Sequence, residues 1–200
     1  MTTLVVDAAQ RRSRMHLILI ALLFAAPVIS AWVTWKYLSA DGVHDTTNAG
    51  VLVRPARPLT TVPLVDPAGA PLDDHLLSRR WSYVILAGEG CDAACVERLH
   101  VTRQVRISVS KDSSRVQRVL VVRRASAGLA QLRADQPDLV IAVAAGQAWT
   151  AFSEQFTSAG AAGVYLVDPL GNLMMRYPAT VPPKGMLQDL RKLLKVSQIG

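Results

Sequence analysis

The chain has two cysteines, Cys91 and Cys95, and their position is its strongest indication of chemistry. An apolar run ends at Ala87, a glycine-containing turn follows, and Cys91 stands at the predicted start of a helix. A helix N-terminus favours a thiolate over a thiol, and side chains four residues apart share one helix face. Both sulfurs can therefore reach one metal ion or one redox partner. The alternative interpretation is two buried structural cysteines, because free cysteine packs as a small hydrophobic side chain.

Two carboxylates flank the first cysteine, Glu89 and Asp92. Negative charge beside a thiol disfavours the thiolate and opposes the effect of the helix terminus. Asp92 also has a side chain that is common at helix N-caps. A disulfide across four residues of regular helix requires a distorted first turn. These features favour metal binding over rapid thiol exchange, and Cu(I) is the ion that two thiolates suit.

A third copper ligand is harder to find in the sequence. His75 precedes the first predicted core strand and can approach the cysteines, so it is the candidate. His100 follows Cys95 on the same predicted helix, about half a turn around the helix axis, and we expect it to be solvated or in a core contact. Met174 and Met175 alternate in a predicted strand, so only one of them can face any site. No Ser-His-Asp arrangement, His-Glu-x-x-His pair or phosphate-binding glycine loop accompanies these residues.

An apolar segment near the N-terminus runs from Met15 to Trp35 without an aspartate, glutamate, lysine or arginine. As a helix, at about 1.5 Å per residue, it is long enough to cross a hydrocarbon core of about 30 Å. Arg11, Arg12 and Arg14 precede the segment, so the positive-inside rule places the N-terminus in the cytoplasm. We expect an uncleaved, single-pass anchor in a bacterial inner membrane with the C-terminal domain in the periplasm. A cleaved signal peptide is the alternative.

The composition of successive segments predicts the domain organisation of the chain. We predict a cytoplasmic tail over residues 1–14, a transmembrane helix over 15–37, a polar linker over 38–59 and one domain over 60–200. The formal net charge of +7 is spread along the chain, and its basic pairs lack interleaved aromatic side chains. This pattern is typical of a solvated surface, so nucleic acid is not an expected partner.

Apolar runs alternate with helical patterns beyond residue 60. A short strand pair is expected over residues 63–72, around an Asp-Pro-x-Gly turn. Longer strands are predicted at residues 81–87, 116–122, 139–143, 164–168 and 173–177, and helices at residues 92–109, 127–134, 148–156 and 183–196. This order predicts an α/β domain with a central mixed β-sheet flanked by helices.

A cysteine pair after the first long strand, followed by alternating helices and strands, a hairpin and a closing helix, resembles the thioredoxin-like superfamily. Within it, residues 60–196 resemble the membrane-anchored Sco/SenC proteins, which assist assembly of the copper centre of cytochrome c oxidase. The Cys91-x-x-x-Cys95 spacing is the Sco spacing, and a single N-terminal anchor is shared. The Leu64-x-Asp66-x-x-Gly69 turn and the Val164–Gly171 hairpin also resemble that family.

The chain departs from the Sco pattern at several places. Val96 stands where Sco proteins usually have a proline, and residues 158–163 lack the histidine that serves that family as third copper ligand. The cis-proline of ordinary thioredoxins, expected just before Val164, is missing too.

The resemblance implies that Cys91 and Cys95 handle Cu(I) during cytochrome c oxidase assembly. An oxidase subunit or another periplasmic copper or thiol protein would be the partner. Two alternatives stay open. One is a membrane-tethered thiol–disulfide oxidoreductase with Cys91 and Cys95 as its catalytic residues. The other is an interaction module whose cysteines carry no reaction.

Overall fold

The structure is a computed structural model that describes residues 8–40, 48–160, 163–197 and 199. The chain divides into two compact units between residues 47 and 48. In the first unit, helix α1 (Ala8–Ala40) extends past both ends of the predicted membrane span. Its segment Arg11–Tyr37 has the length and apolar composition to cross a membrane. A signal sequence meets the same criteria, so α1 is a membrane anchor or a signal sequence.

The second unit contains one six-stranded mixed sheet. The strands are β1 (Val51–Pro58), β2 (Trp81–Ala87), β3 (Val116–Val122), β4 (Leu139–Val143), β5 (Val164–Val167) and β6 (Asn172–Tyr177). Their spatial order is β1-β6-β5-β2-β3-β4. Strands β2, β3 and β4 are parallel, whereas β5, β6 and β1 add to the other side as antiparallel neighbours. The predicted central mixed sheet is confirmed.

Helices cover both faces of this sheet. They are α2 (Ala93–Ser108), α3 (Gly128–Asp135), α4 (Gln147–Thr157) and α5 (Pro183–Val196), and a 3₁₀ turn spans Ser110–Arg115. Side chains of α2 and α5 pack into a core on one face, and Phe152 and Phe156 of α4 pack on the other. Every residue of β3 is buried for this reason, which fits its mainly apolar sequence and makes Gln117 and Arg118 buried polar exceptions. These elements agree with the predicted strands and helices beyond residue 80.

The predicted linker over residues 38–59 is wrong in its second half, because residues 51–58 form the edge strand β1. Most of this strand is exposed and it contains two prolines, so it lacks the alternation by which buried strands are recognised. Its start is held by the buried carboxylate of Asp189 on α5, which accepts hydrogen bonds from Ala49 N at 3.1 Å and Gly50 N at 2.8 Å. This contact joins residues far apart in sequence, so the pattern of neighbouring residues does not predict it.

The predicted strand pair over residues 63–72 is reduced to a single bridge between Val65 and Pro71. Asp66 Oδ1 accepts hydrogen bonds from Ala68 N and Ala70 N and fixes the turn. Val65 also bridges to Val143 at the end of β4, so the turn extends the sheet edge.

Candidate functional site

Cys91 and Cys95 are joined by a disulfide at the end of β2 and the start of α2. Cys91 lies outside the helix, which begins at Ala93 with Asp92 as its N-cap. The two Cα atoms are 5.1 Å apart, a normal separation for a disulfide. The expectation that a regular helix would hinder this bridge therefore does not apply, because only Cys95 belongs to the helix.

The two cysteines differ in accessibility. Cys95 is fully buried and belongs to the core beneath α2. Cys91 is half-buried and lines an open groove together with Glu89, Asp92, Arg98 and Ser126. An approaching molecule therefore meets Cys91 first, and Cys95 is the partner that stays inside.

The N-cap prediction for Asp92 is confirmed. Its Oδ1 accepts a hydrogen bond from Cys95 N at 2.7 Å, which satisfies one of the free amides of the first helical turn. The cap thereby fixes the backbone of the buried cysteine.

The two carboxylates that the sequence places beside Cys91 each have an arginine nearby in the structure. Glu89 Oε1 is paired with Arg123 Nη1 at 3.0 Å, and Arg98 Nη2 lies 3.9 Å from Asp92 Oδ1. Each carboxylate beside the cysteine therefore has an arginine opposing its charge. Sequence reasoning missed both arginines, because Arg123 follows a different strand and Arg98 lies on the second turn of α2.

Arg98 is the main residue of the site that the sequence did not indicate. It lines the cysteine groove and also a neighbouring apolar groove formed in part by Val101, Tyr177 and Met186. Its buried Nε has no hydrogen-bond partner among the described residues. A cationic side chain therefore stands where the two grooves meet.

The structure does not bring His75 to the cysteines. This histidine lies before β2 and lines a different cavity, with Leu59, Phe152 and Gly171. Cys91 follows the other end of β2, and a strand of that length spans roughly 20 Å. The proposal of His75 as third copper ligand is therefore corrected, because the loop that carries it belongs to the opposite sheet end.

The other candidate ligands also lie apart from the cysteines. His100 is exposed, with its Nε2 2.7 Å from Gln104 Nε2 on the same helix. Met175 is buried in the core, and Met174 is half-buried. Within the described residues, no group of three or more histidine, cysteine or acidic side chains is placed to hold a metal ion. The cysteine pair is thus the part of the predicted site that the fold brings together.

Solved structures of Sco proteins share this fold at low sequence identity. Yeast Sco1 with copper bound is 16% identical, with a TM-score of 0.59 over 70% of this chain and 94% of that one. Copper-bound ScoI from Bradyrhizobium japonicum is 15% identical, with a TM-score of 0.53 over 68% and 98% of the two chains.

BsSco, described as a cytochrome c oxidase assembly protein of the Sco family with a disulfide switch, is 11% identical, with a TM-score of 0.54 over 72% of this chain and 96% of its own. At such identities the likeness establishes the fold, and it confirms the predicted thioredoxin-like class.

No curated protein sequence matches the chain. A family model described as transmembrane-like, thioredoxin-like, C-terminal domain matches residues 81–197, from the first central strand to the end of the last helix. That match includes both cysteines and more than half of the chain. The chain therefore belongs to the family of transmembrane-like proteins with a thioredoxin-like C-terminal domain.

Proposed function

We propose that this protein is a membrane-anchored thiol–disulfide protein of the bacterial periplasm, whose Cys91 and Cys95 alternate between disulfide and dithiol. The observation that carries the proposal is the bridge itself, which joins an accessible and a buried cysteine at a helix N-terminus. Helix termini of this kind stabilise thiolates, and of the two neighbouring carboxylates Glu89 is paired with Arg123 and Asp92 caps the helix.

The exchange reaction follows from the difference in accessibility. A thiolate of a partner protein attacks the Cys91 sulfur, the Cys91–Cys95 bond breaks, and Cys95 leaves as a thiolate that takes up a proton. The second thiol of the partner then displaces Cys91, losing its proton as the Cys91 thiolate gains one. The partner dithiol loses two electrons and two protons and becomes a disulfide, and this chain gains both and becomes a dithiol.

The proposed location rests on the N-terminal segment. The apolar helix α1 can anchor the chain, and the arginines before it favour a cytoplasmic N-terminus. Thiol exchange also suits the periplasm, where an oxidising environment regenerates disulfides. A reporter fused after residue 200 should be active only when it is exported, and a cytoplasmic reporter signal would contradict this orientation.

The decisive experiment is a redox titration of the full chain in detergent. Glutathione or dithiothreitol buffers set the potential, and alkylation followed by mass spectrometry counts free thiols. We expect one reversible two-electron transition between about −120 and −270 mV, the range of thioredoxin-fold exchange proteins. A bridge that stays closed below about −300 mV would instead be a structural disulfide, which would leave only the interaction-module alternative. The Cys91→Ser variant supplies the control, since it has no bridge to titrate.

A second candidate function is the handling of Cu(I) in cytochrome oxidase assembly. It is favoured by two Sco structures of the same fold that were solved with copper bound. In the reduced chain, Cys91 and Cys95 would supply two soft sulfur ligands, which Cu(I) accepts in a linear site. Because His75 lies at the other sheet end, a third ligand would come from the receiving protein, such as an oxidase subunit or another periplasmic copper or thiol protein.

Cu(I) competition with a chromophoric chelator tests this candidate on the reduced, full-length chain. Binding of one Cu(I), lost in both Cys91→Ser and Cys95→Ser and unchanged in His75→Ala, is the expected result. Absence of Cu(I) uptake would eliminate the copper function and leave thiol exchange untouched, because that reaction needs no metal.

A further inference from the structure

Arg98 stands at the junction of two grooves. One groove contains Cys91, Glu89 and Ser126, and the other runs beside it along α2 and the loop between β6 and α5. The second groove is mainly apolar, with lining residues that include Val101, Val164, Tyr177, Pro182 and Met186. Arg98 is the residue that lines both grooves, so a polypeptide that occupies both of them contacts it.

The guanidinium of Arg98 is poorly satisfied within the protein. Its Nε is buried and has no hydrogen-bond partner among the described residues. The nearest carboxylate oxygen, Asp92 Oδ1, lies 3.9 Å from Nη2 and already accepts the short hydrogen bond from Cys95 N. The side chain as a whole keeps 26% exposure, so an acceptor from outside the chain would meet its terminal Nη nitrogens rather than the buried Nε.

The backbone before β5 is shaped to accommodate this arginine. A Cβ at Gly163 would lie 2.8 Å from Arg98 Cδ, so any larger residue there would require the Arg98 side chain to move from this position. Gly163 N donates to the Tyr177 carbonyl at 3.0 Å, which fixes the glycine against β6. The aliphatic part of Arg98 is thus held in place while its charged end faces the grooves.

We propose that Arg98 is a recognition residue for a carboxylate on the polypeptide partner that reacts at Cys91. The partner segment carries a cysteine at the disulfide, an aspartate or glutamate at Arg98 and apolar side chains in the second groove. Arg98 is the basic side chain that lines both grooves, and its nearest carboxylate, Asp92, is 3.9 Å away. Glu89 is already paired with Arg123, and Glu97 also lines the second groove. An acidic side chain of the partner therefore finds its attractive charge at Arg98 alone among these groove residues. Planar guanidinium and carboxylate groups can form two parallel hydrogen bonds. This inference rests on the proposed function, because it assumes a cysteine-bearing partner.

Disulfide capture of synthetic peptides on the full chain in detergent tests the proposal. In the Cys95→Ser background the Cys91 thiolate attacks added symmetrical disulfides of cysteine peptides, forms a mixed disulfide with one peptide and releases the other as a thiol, so the exchange reaches equilibrium without a further oxidant. Pairs of peptides place glutamate or glutamine at one to four residues from the cysteine, among leucine and alanine. Mass spectrometry measures the ratio of glutamate to glutamine adducts on Cys91. Comparison between protein variants cancels any intrinsic difference between the two peptide thiols.

We expect a ratio of about five at the best spacing, the strength of a partly exposed charge pair, and a ratio near one after Arg98→Gln. Arg103→Gln is the matched control, because it removes the same charge from the same helix on the side that faces Asp135. Gly163→Ala displaces the Arg98 side chain but keeps its charge, so it should also lower the ratio of glutamate to glutamine adducts. This variant replaces Arg98→Gln in the test if Arg98→Gln does not fold.

Three results would overturn the proposal. They are an unchanged ratio in both Arg98→Gln and Gly163→Ala, an equal loss in Arg103→Gln, and failure of Cys91 to capture any peptide. Capture requires neither a redox cycle nor copper, so its outcome is independent of the titration and Cu(I) tests of the proposed function.

Discussion

Arg118 of β3 donates to helix α2, and Arg98 lies on that helix, but the two arginines differ in how far their hydrogen-bond donors are satisfied. Arg118 on β3 is fully buried and donates to the Leu99 carbonyl of α2 at 2.9 Å and to Gln136 Oε1 at 2.8 Å. Its Nε and Nη2 also reach both carboxylate oxygens of Asp138, at 3.1 and 3.0 Å. Arg98 retains 26% side-chain exposure and leaves its Nε without a partner among the described residues.

The difference indicates that the charge of Arg118 serves the fold, whereas the charge of Arg98 is available to bind a partner. Burial lowers the pKa of Arg118, and the neighbouring Asp138 counteracts that effect by pairing with the charged form. Arg118 therefore holds the middle of α2 against the sheet. Arg98 contributes less to the stability of the fold and more to the surface that a partner contacts. Substitutions at the two arginines can test this difference.

The largest expected effect is that of Arg118→Gln on stability. The substitution removes the buried guanidinium that donates to the Leu99 carbonyl, Gln136 Oε1 and both oxygens of Asp138, and leaves Thr102 Oγ1 on that carbonyl and Arg106 beside Asp138. Loss of one member of a buried ion pair costs about 3 to 5 kcal/mol in free energy of unfolding. Urea unfolding of the detergent-solubilised chain, followed by tryptophan fluorescence, measures it. Equal losses for Arg118→Gln and Arg98→Gln would contradict the distinction between the two arginines.

Reduction of the Cys91–Cys95 bridge should cost less than the loss of Arg118. The bridge closes a loop of only a few residues, for which chain-entropy estimates give about 2 kcal/mol. The measurement is urea unfolding with and without reductant. The doubly substituted Cys91→Ser, Cys95→Ser chain provides the control, because reductant should not change its midpoint. A loss as large as that of Arg118→Gln would make the bridge part of the structural framework rather than of an exchange site.

The pattern of neighbouring residues was enough to predict the central strands and the helices that position the site. β2, β3 and α5 have continuous or periodic apolar residues, and the Asp92 cap sits directly before the apolar face of α2. These signals arise from neighbours in sequence, so the cysteine pair could be placed at a strand–helix junction without coordinates.

Long-range contacts account for what the sequence could not provide. β1 depends on pairing with β6 and on the Asp189 carboxylate, both more than 110 residues away in sequence. His75 and Cys91 are near each other in sequence but are separated by the full length of β2. Arg118 interrupts an apolar strand, and its partner Asp138 follows only after α3. Such pairings are properties of the tertiary fold, so single-sequence patterns do not contain them.

Asp92→Ala should have an intermediate effect on stability. It removes the side-chain oxygen that accepts the Cys95 amide, and loss of such a cap costs about 1 kcal/mol. Asp92→Asn is the matched control, since asparagine caps nearly as well but carries no charge. Equal losses in both variants, measured by urea unfolding, would show that the charge beside Arg98, rather than the cap, provides the stabilisation.

The smallest expected change in stability belongs to Arg98→Gln. Because Arg98 has one distant carboxylate neighbour and a buried donor that no described residue satisfies, its removal gives up little pairing and relieves one unsatisfied group. Glutamine keeps part of the aliphatic contact with Gly163, so we expect the free energy of unfolding to stay within about 0.5 kcal/mol of the parent chain. The same variant should lose the preference for acidic peptides. A stability loss of 2 kcal/mol or more would place Arg98 with Arg118, as a residue whose main role is to hold α2 in position.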